Sequence, residues 1–139
     1  MNSSVFFMLA GVLIVAGAVL WLIFRLNQNA NPLDVNKYRM RWLEIETIIQ
    51  KSDQQSCHFA IMEADKLLDI AMKQSGIQGD TMGERLKNAK SKLSDRNGVW
   101  TAHKLRNQIV HEADVNVSYD SAKKALGGFK KALRDLGAI

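Results

Sequence analysis

Between Val5 and Phe24 the chain runs for twenty residues without a charge, and nearly all of them are apolar. At about 1.5 Å per residue, a helix of that length spans about 30 Å, the hydrocarbon thickness of a bilayer. A helix apolar on every side has no polar face to turn toward water, so the segment reads as one transmembrane span. Trp21 suits the membrane–water interface. The leading Met-Asn-Ser-Ser carries no Lys or Arg, while Arg25, Lys37, Arg39 and Arg41 follow the span. The positive-inside rule then puts the rest of the chain in the cytoplasm, behind a single-pass anchor in the cell membrane. The rival reading is a signal peptide cleaved near Ala16-Gly17-Ala18. It lacks a basic leading region, and Val19 to Phe24 simply continues the apolar run. The expected organisation is an anchor over residues 1–26, a linker over 27–34 and one small domain over 35–139.

Chemistry in that domain is constrained by what it holds. Leaving out Arg25, 18 Lys and Arg face 14 Asp and Glu, a net charge of +4. This permits RNA or an anionic membrane surface as partner but selects neither. The single Cys57 excludes an intramolecular disulfide and fits a reducing compartment. The three histidines, His58, His103 and His111, have no metal-ligand spacing, and no phosphate-binding glycine loop or nucleophile elbow is present. No metal or cofactor is expected.

Hydrophobic spacing predicts helices throughout. A first spans about Val35 to Lys51, with Val35, Tyr38, Trp42, Ile45 and Ile49 as its seam. A second runs from about Gln54 to Ser75 and closes at Gly76; Cys57, Ile61, Ala64, Leu68 and Ala71 form its inner face. A third begins at Thr81, with Glu84 completing a capping box and Met82, Leu86, Ala89 and Leu93 as its apolar line. Asp95-Arg96-Asn97-Gly98 reads as a turn before a fourth helix, about Val99 to His111. Ser118 caps the fifth, whose face is Ala122, Leu126, Phe129, Leu133 and Leu136. Gly127-Gly128 weakens that helix and allows a close helix contact. No stretch alternates with a period of two. The fold class is therefore all-α: an N-terminal transmembrane helix followed by a bundle of four to five antiparallel helices. Either the first four or the last four soluble helices can form its central unit.

One residue breaks the pattern of the fourth helix. At about 100° per residue, Leu105, Ile109, Ala102, Val99 and Val110 share one arc, and Arg106 falls in its middle. A guanidinium there must be paired or used. In the structural reading it pairs with Asp65 or Asp69, one turn apart on a flank of the second helix, and fixes two helices in register. His111 is then a helix-terminal residue and His103 a hydrogen-bonding spacer. Trp42 and Trp100 are core or interface anchors, Lys123, Lys124, Lys130 and Lys131 a solvated face, and Cys57 inert.

Arg106-Asn107, three residues and His111 also resemble the signature of the HEPN superfamily: an arginine, usually a polar residue after it, a short spacer and a histidine. Ala102 to Glu112 looks like the late helix of many bacterial members, and Ala64-Asp65-Lys66-Leu67-Leu68-Asp69 like a stretch of an early one. The likeness covers about Val35 to Leu136; the anchor is not a general feature of the superfamily. The resemblance implies a helical bundle that often dimerises through the motif face, with many members acting as metal-independent ribonucleases. It assigns proton transfer to His111, phosphate clamping to Arg106 and positioning to Asn107; His103, which the family motif does not include, is an optional helper, and Asp65 and Asp69 are candidate supporting residues from the structural reading. Because Arg106 and His111 lie about 140° apart on a regular helix, their convergence needs a helix break near Val110 or a second chain. Other members are non-catalytic RNA-binding or protein-interaction modules. Two expectations follow: a membrane-anchored endoribonuclease, or a membrane-anchored helical interaction domain with an unidentified protein partner.

Overall fold

The computed structural model describes residues 3–27 and 32–139. The chain divides into two units, Met1–Asn31 and Pro32–Ile139. Part of the expected linker, residues 28–31, lies outside the described residues, as do Met1 and Asn2 of the expected anchor.

The first unit holds α1 (Ser3–Asn27). Within it, Val5–Ile23 is long and apolar enough to cross a membrane, and none of that stretch is buried in the protein.

The second unit is built from five helices, α2 (Val35–Ile48), α3 (Gln54–Gln74), α4 (Met82–Asn88), α5 (Arg96–His111) and α6 (Tyr119–Asp135). Each starts on a side-chain cap: Asp34 accepts from Lys37 N, Asp53 from Gln55 N, Thr81 from Glu84 N, Asp95 from Gly98 N and Ser118 from Ser121 N. Such caps contribute about 1 kcal/mol each by satisfying an orphan N–H. Glu84 reaches back as expected, but to the N–H of Asp80 at 2.7 Å, one residue before the cap. Among the described residues there is no strand, only an isolated bridge between Gln50 and Asp53.

Three boundaries differ from expectation. α2 ends at Ile48 rather than near Lys51, and Gln50 bridges Asp53 instead. Asp95 to Gly98 is the cap and first turn of α5 rather than a separate turn, because the Asp95 carboxylate takes the Gly98 N–H at 2.9 Å. Aspartate serves both purposes, so local composition does not separate them. The third soluble helix stops at Asn88, yet Ala89 and Leu93 beyond it are buried. The Ser94 N–H and hydroxyl then bond Asp135, tying this segment to α6.

The long helices run antiparallel. Tyr38 meets Gln74 and Gln50 meets Ser56 at the two ends of α2 and α3. Gln54 reaches Val115 while Asp65 reaches His103, which sets α5 against α3. Ser94 meets Asp135, and Gly98 meets Gly128, between α5 and α6. The bundle is α2, α3, α5 and α6, with the short α4 resting on α3. It is thus neither the first four nor the last four soluble helices. Phe129, Ile61, Leu68, Met72 and Leu133 fill the centre with essentially no solvent exposure. The α5–α6 crossing is close because Gly128 has no Cβ; one built there would sit 2.9 Å from the Gly98 carbonyl oxygen.

Candidate functional site

Asp65 lies on the flank of α3 that faces α5, and it is buried. On α5, Arg106 and Asn107 follow His103 by three and four residues, so all three share one side of the helix. Their polar groups close a ring. Asp65 Oδ1 lies 2.7 Å from Nδ1 of the buried His103. The amide of Asn107 faces His103 Nε2 at 3.3 Å. Arg106 Nη1 donates to Asn107 Oδ1 at 3.0 Å. Arg106 Nε stands 3.4 Å from Asp65 Oδ2, an ion pair without hydrogen-bond alignment.

The ring dictates where its protons sit. A carboxylate only accepts, so His103 Nδ1 carries the hydrogen toward Asp65. A guanidinium only donates, so Asn107 turns its oxygen to Arg106 and its NH2 to His103 Nε2. Both imidazole nitrogens are therefore occupied, and His103 has no free lone pair for a substrate proton. The charge of Arg106 offsets that of the buried carboxylate, which would otherwise be costly to desolvate.

His111 stands apart. It is the last residue of α5 and exposed, and its side chain makes no hydrogen bond or ion pair to any described residue. The helix continues unbroken through Val110, so the arc of about 140° from Arg106 stands within one copy. On the regular helix its nearer neighbours are Asn107 and Lys104, about 40° and 20° away. Arg106 keeps 33% of its side-chain surface, and Val110 beside it is 45% exposed. The edge carrying the motif is thus uncovered.

Asp69 belongs to a different set. It bonds Arg85 Nε at 2.7 Å and Lys73 at 2.8 Å, and it is not a partner of Arg106. Burial pushes the Asp69 carboxyl up, but bonds to Arg85 and Lys73 outweigh it and hold the group below the usual carboxylate range. Arg85 is itself buried and also donates to the Gly79 carbonyl. Gly79 adopts a φ of +148°, and a Cβ there would strike the Arg85 backbone nitrogen at 2.8 Å. Sequence reasoning missed Arg85, because nothing local distinguishes it from a solvated helix cation.

Elsewhere the polar groups are structural or open. Trp42 is buried and donates to Glu46 Oε1 at 2.7 Å, which also takes Lys130 at 2.5 Å. The bond from Lys130 holds the Glu46 carboxyl below its ordinary value against a smaller upward push from burial. Trp100 is half-buried with Lys87 and Lys104 each 6.0 Å from its ring centre. A cleft of about 720 Å³ opens between α5 and α6, lined in part by Thr101, Lys104, Gln108, Ser121 and Lys124. Cys57 is buried as a free thiol, its Sγ 3.8 Å from the Gln50 carbonyl oxygen. Among the described residues no three His, Cys, Asp or Glu side chains cluster as a metal site would require.

Comparison with known protein families, curated proteins and solved structures finds no match to this chain.

Proposed function

We propose that this chain is a membrane-anchored, HEPN-like helical domain acting as a non-catalytic protein-interaction module on the cytoplasmic face of the cell membrane. One observation carries the reading. Asp65, His103, Asn107 and Arg106 engage one another through three hydrogen-bond contacts and one ion pair, while His111 lies outside this set. The arginine of the motif then serves to fix α3 against α5. The exposed helices present partner-binding surface, and α1 holds that surface at the membrane. The basic residues after the span, Arg25, Lys37, Arg39 and Arg41, support the cytoplasmic side.

A metal-independent endoribonuclease assembled from two copies is the second reading. The partial exposure of Arg106 and the open position of His111 favour it. In that chemistry a ribose 2′-hydroxyl attacks the adjacent phosphorus and expels the 5′-oxygen, leaving a 2′,3′-cyclic phosphate. His111 of one copy moves the proton, and Arg106 with Asn107 of the other holds the phosphate.

One assay separates the two. The full chain in nanodiscs is incubated with labelled RNA and EDTA, beside Arg106→Ala, His111→Ala and an equal mixture of both variants. The interaction reading expects the wild type to cleave no faster than His111→Ala. Cleavage that vanishes in each folded variant and returns in the mixture overturns it and establishes a shared site. Protease added outside sealed vesicles tests the orientation: the domain should be protected until the membrane is opened.

A further inference from the structure

Outside α1, the described large apolar side chains that stand exposed are Val35, Met40, Leu43, Phe59, Met62, Ile70 and Val110. All but Val110 lie on α2 and α3. Met40 keeps 60% of its surface and Phe59 52%, values that water alone does not favour when such groups adjoin. On α2, Met40 and Leu43 fall on the side opposite the buried Tyr38, Trp42 and Ile45. On α3, Phe59, Met62 and Ile70 share one exposed face with Lys66. Arg41, Phe59, Lys66 and Ile70 line a common groove where the two helices meet.

Charge follows the same surface. Lys37, Arg39, Arg41 and Lys66 are exposed on the same two helices, against Glu44, Glu63 and, at the start of α2, Asp34. Glu46 is engaged by Lys130, and Lys73 by Asp69, so neither alters the balance. Long basic side chains around short apolar ones suit the boundary between anionic headgroups and acyl chains. The other basic face, on α6, has exposed Lys123, Lys124 and Lys131 but no exposed large apolar side chain. Reach adds a third argument. Seven residues separate Asn27 from Val35. Fully extended, they cover at most about 25 Å. A chain anchored through α1 therefore keeps the N-terminal end of α2 near the membrane surface.

We propose that the α2–α3 face docks on anionic lipid headgroups of the membrane that holds α1. The proposal rests on the anchor reading. Docking orders the domain, leaves the α6 lysine face toward water and turns a tethered bundle into an oriented one.

The test uses the full chain in nanodiscs of phosphatidylcholine, with or without phosphatidylserine. A fluorophore is attached at Leu43→Cys, Phe59→Cys or Lys124→Cys; Cys57 is buried, and the wild type serves as its labelling control. Headgroup-nitroxide lipids report proximity. With phosphatidylserine present, the Leu43 and Phe59 probes should be quenched about threefold more than the Lys124 probe, and the difference should shrink in high salt. Arg39→Glu with Arg41→Glu and Lys66→Glu should remove it while circular dichroism stays unchanged. Equal quenching at all three sites overturns the proposal. So do unquenched α2–α3 probes that cross-link between chains, which make a second copy the occupant. Alkaline extraction distinguishes the two failures: a chain released from the disc takes the anchor and the docking down together. A retained chain with equal quenching sinks the docking alone.

Discussion

Arg106 and Asp65 hold opposite charges at a helix contact, but the aspartate carries the larger liability because it is the buried partner. Asp65→Ala removes the acceptor for His103 Nδ1 and leaves the Arg106 guanidinium facing a desolvated pocket. Leaving the buried His103 N–H without its acceptor, beside a partly exposed Arg106, should cost about 1–3 kcal/mol of stability. His111→Ala, at an exposed position whose side chain has no partner among the described residues, should change stability by less than about 0.5 kcal/mol. Chemical unfolding of both variants in detergent checks the contrast; comparable losses would mean that His111 is structural. This is also where sequence reading reached its limit. The misplaced arginine pointed to the α3 flank, and Asp65 does meet it. That His103 takes the nearer oxygen of the same carboxylate depends on the rise of α3 relative to α5, which no local pattern encodes. Asp69, one turn from Asp65, looked equivalent and instead serves Arg85, because α4 covers that end of α3.

Adjacent glycines show how far an element's behaviour departs from its intrinsic propensity. In α6, Gly127 has nothing within 4 Å of where a Cβ would stand, whereas at Gly128 the Gly98 carbonyl oxygen lies 2.9 Å away. Gly127→Ala should therefore stabilise the bundle by up to about 1 kcal/mol through backbone entropy. Gly128→Ala should destabilise it by about 1–3 kcal/mol, because backbone rather than a pliable side chain must give way. Thermal melts of the two variants should move in opposite directions, and a rise in both would place the α5–α6 crossing farther apart than described. The close contact was readable as a potential of the pair; which glycine makes it was not, since that depends on the rotation of α6. Helix identities were more legible. Continuous apolar faces and the caps Thr81 and Ser118 mark the helices. The Asp95 cap, the early end of α2 and the contraction of α4 were hidden, the last because Ala89 and Leu93 continue the helical spacing after the helix has ended.

For the whole bundle, stability depends on pH through three groups that join separate helices. Asp69 and Glu46 are held below their ordinary values of 3.8 and 4.5, so folding favours their charged forms. Their contribution is complete above those values and is lost as pH falls through the lower folded ones. Tyr38, whose hydroxyl donates to Gln74 at 2.5 Å, is raised above 10.0 by burial. Its contribution is complete below 10.0 and is lost as pH rises through the folded value. The bundle should thus show a stability plateau between about pH 5 and 10 from these groups, with an acid limb below and an alkaline limb above. The limbs are separable. Asp69→Asn lowers the plateau, because Arg85 loses its charged partner in a buried position, and it flattens the acid limb. Tyr38→Phe flattens only the alkaline limb. Melting temperatures of the full chain in one detergent, followed by circular dichroism across this range, give the comparison. An acid limb of unchanged steepness in Asp69→Asn would remove the α3–α4 ion pair from the molecule's acid response and leave Glu46, joining α2 to α6, as its source.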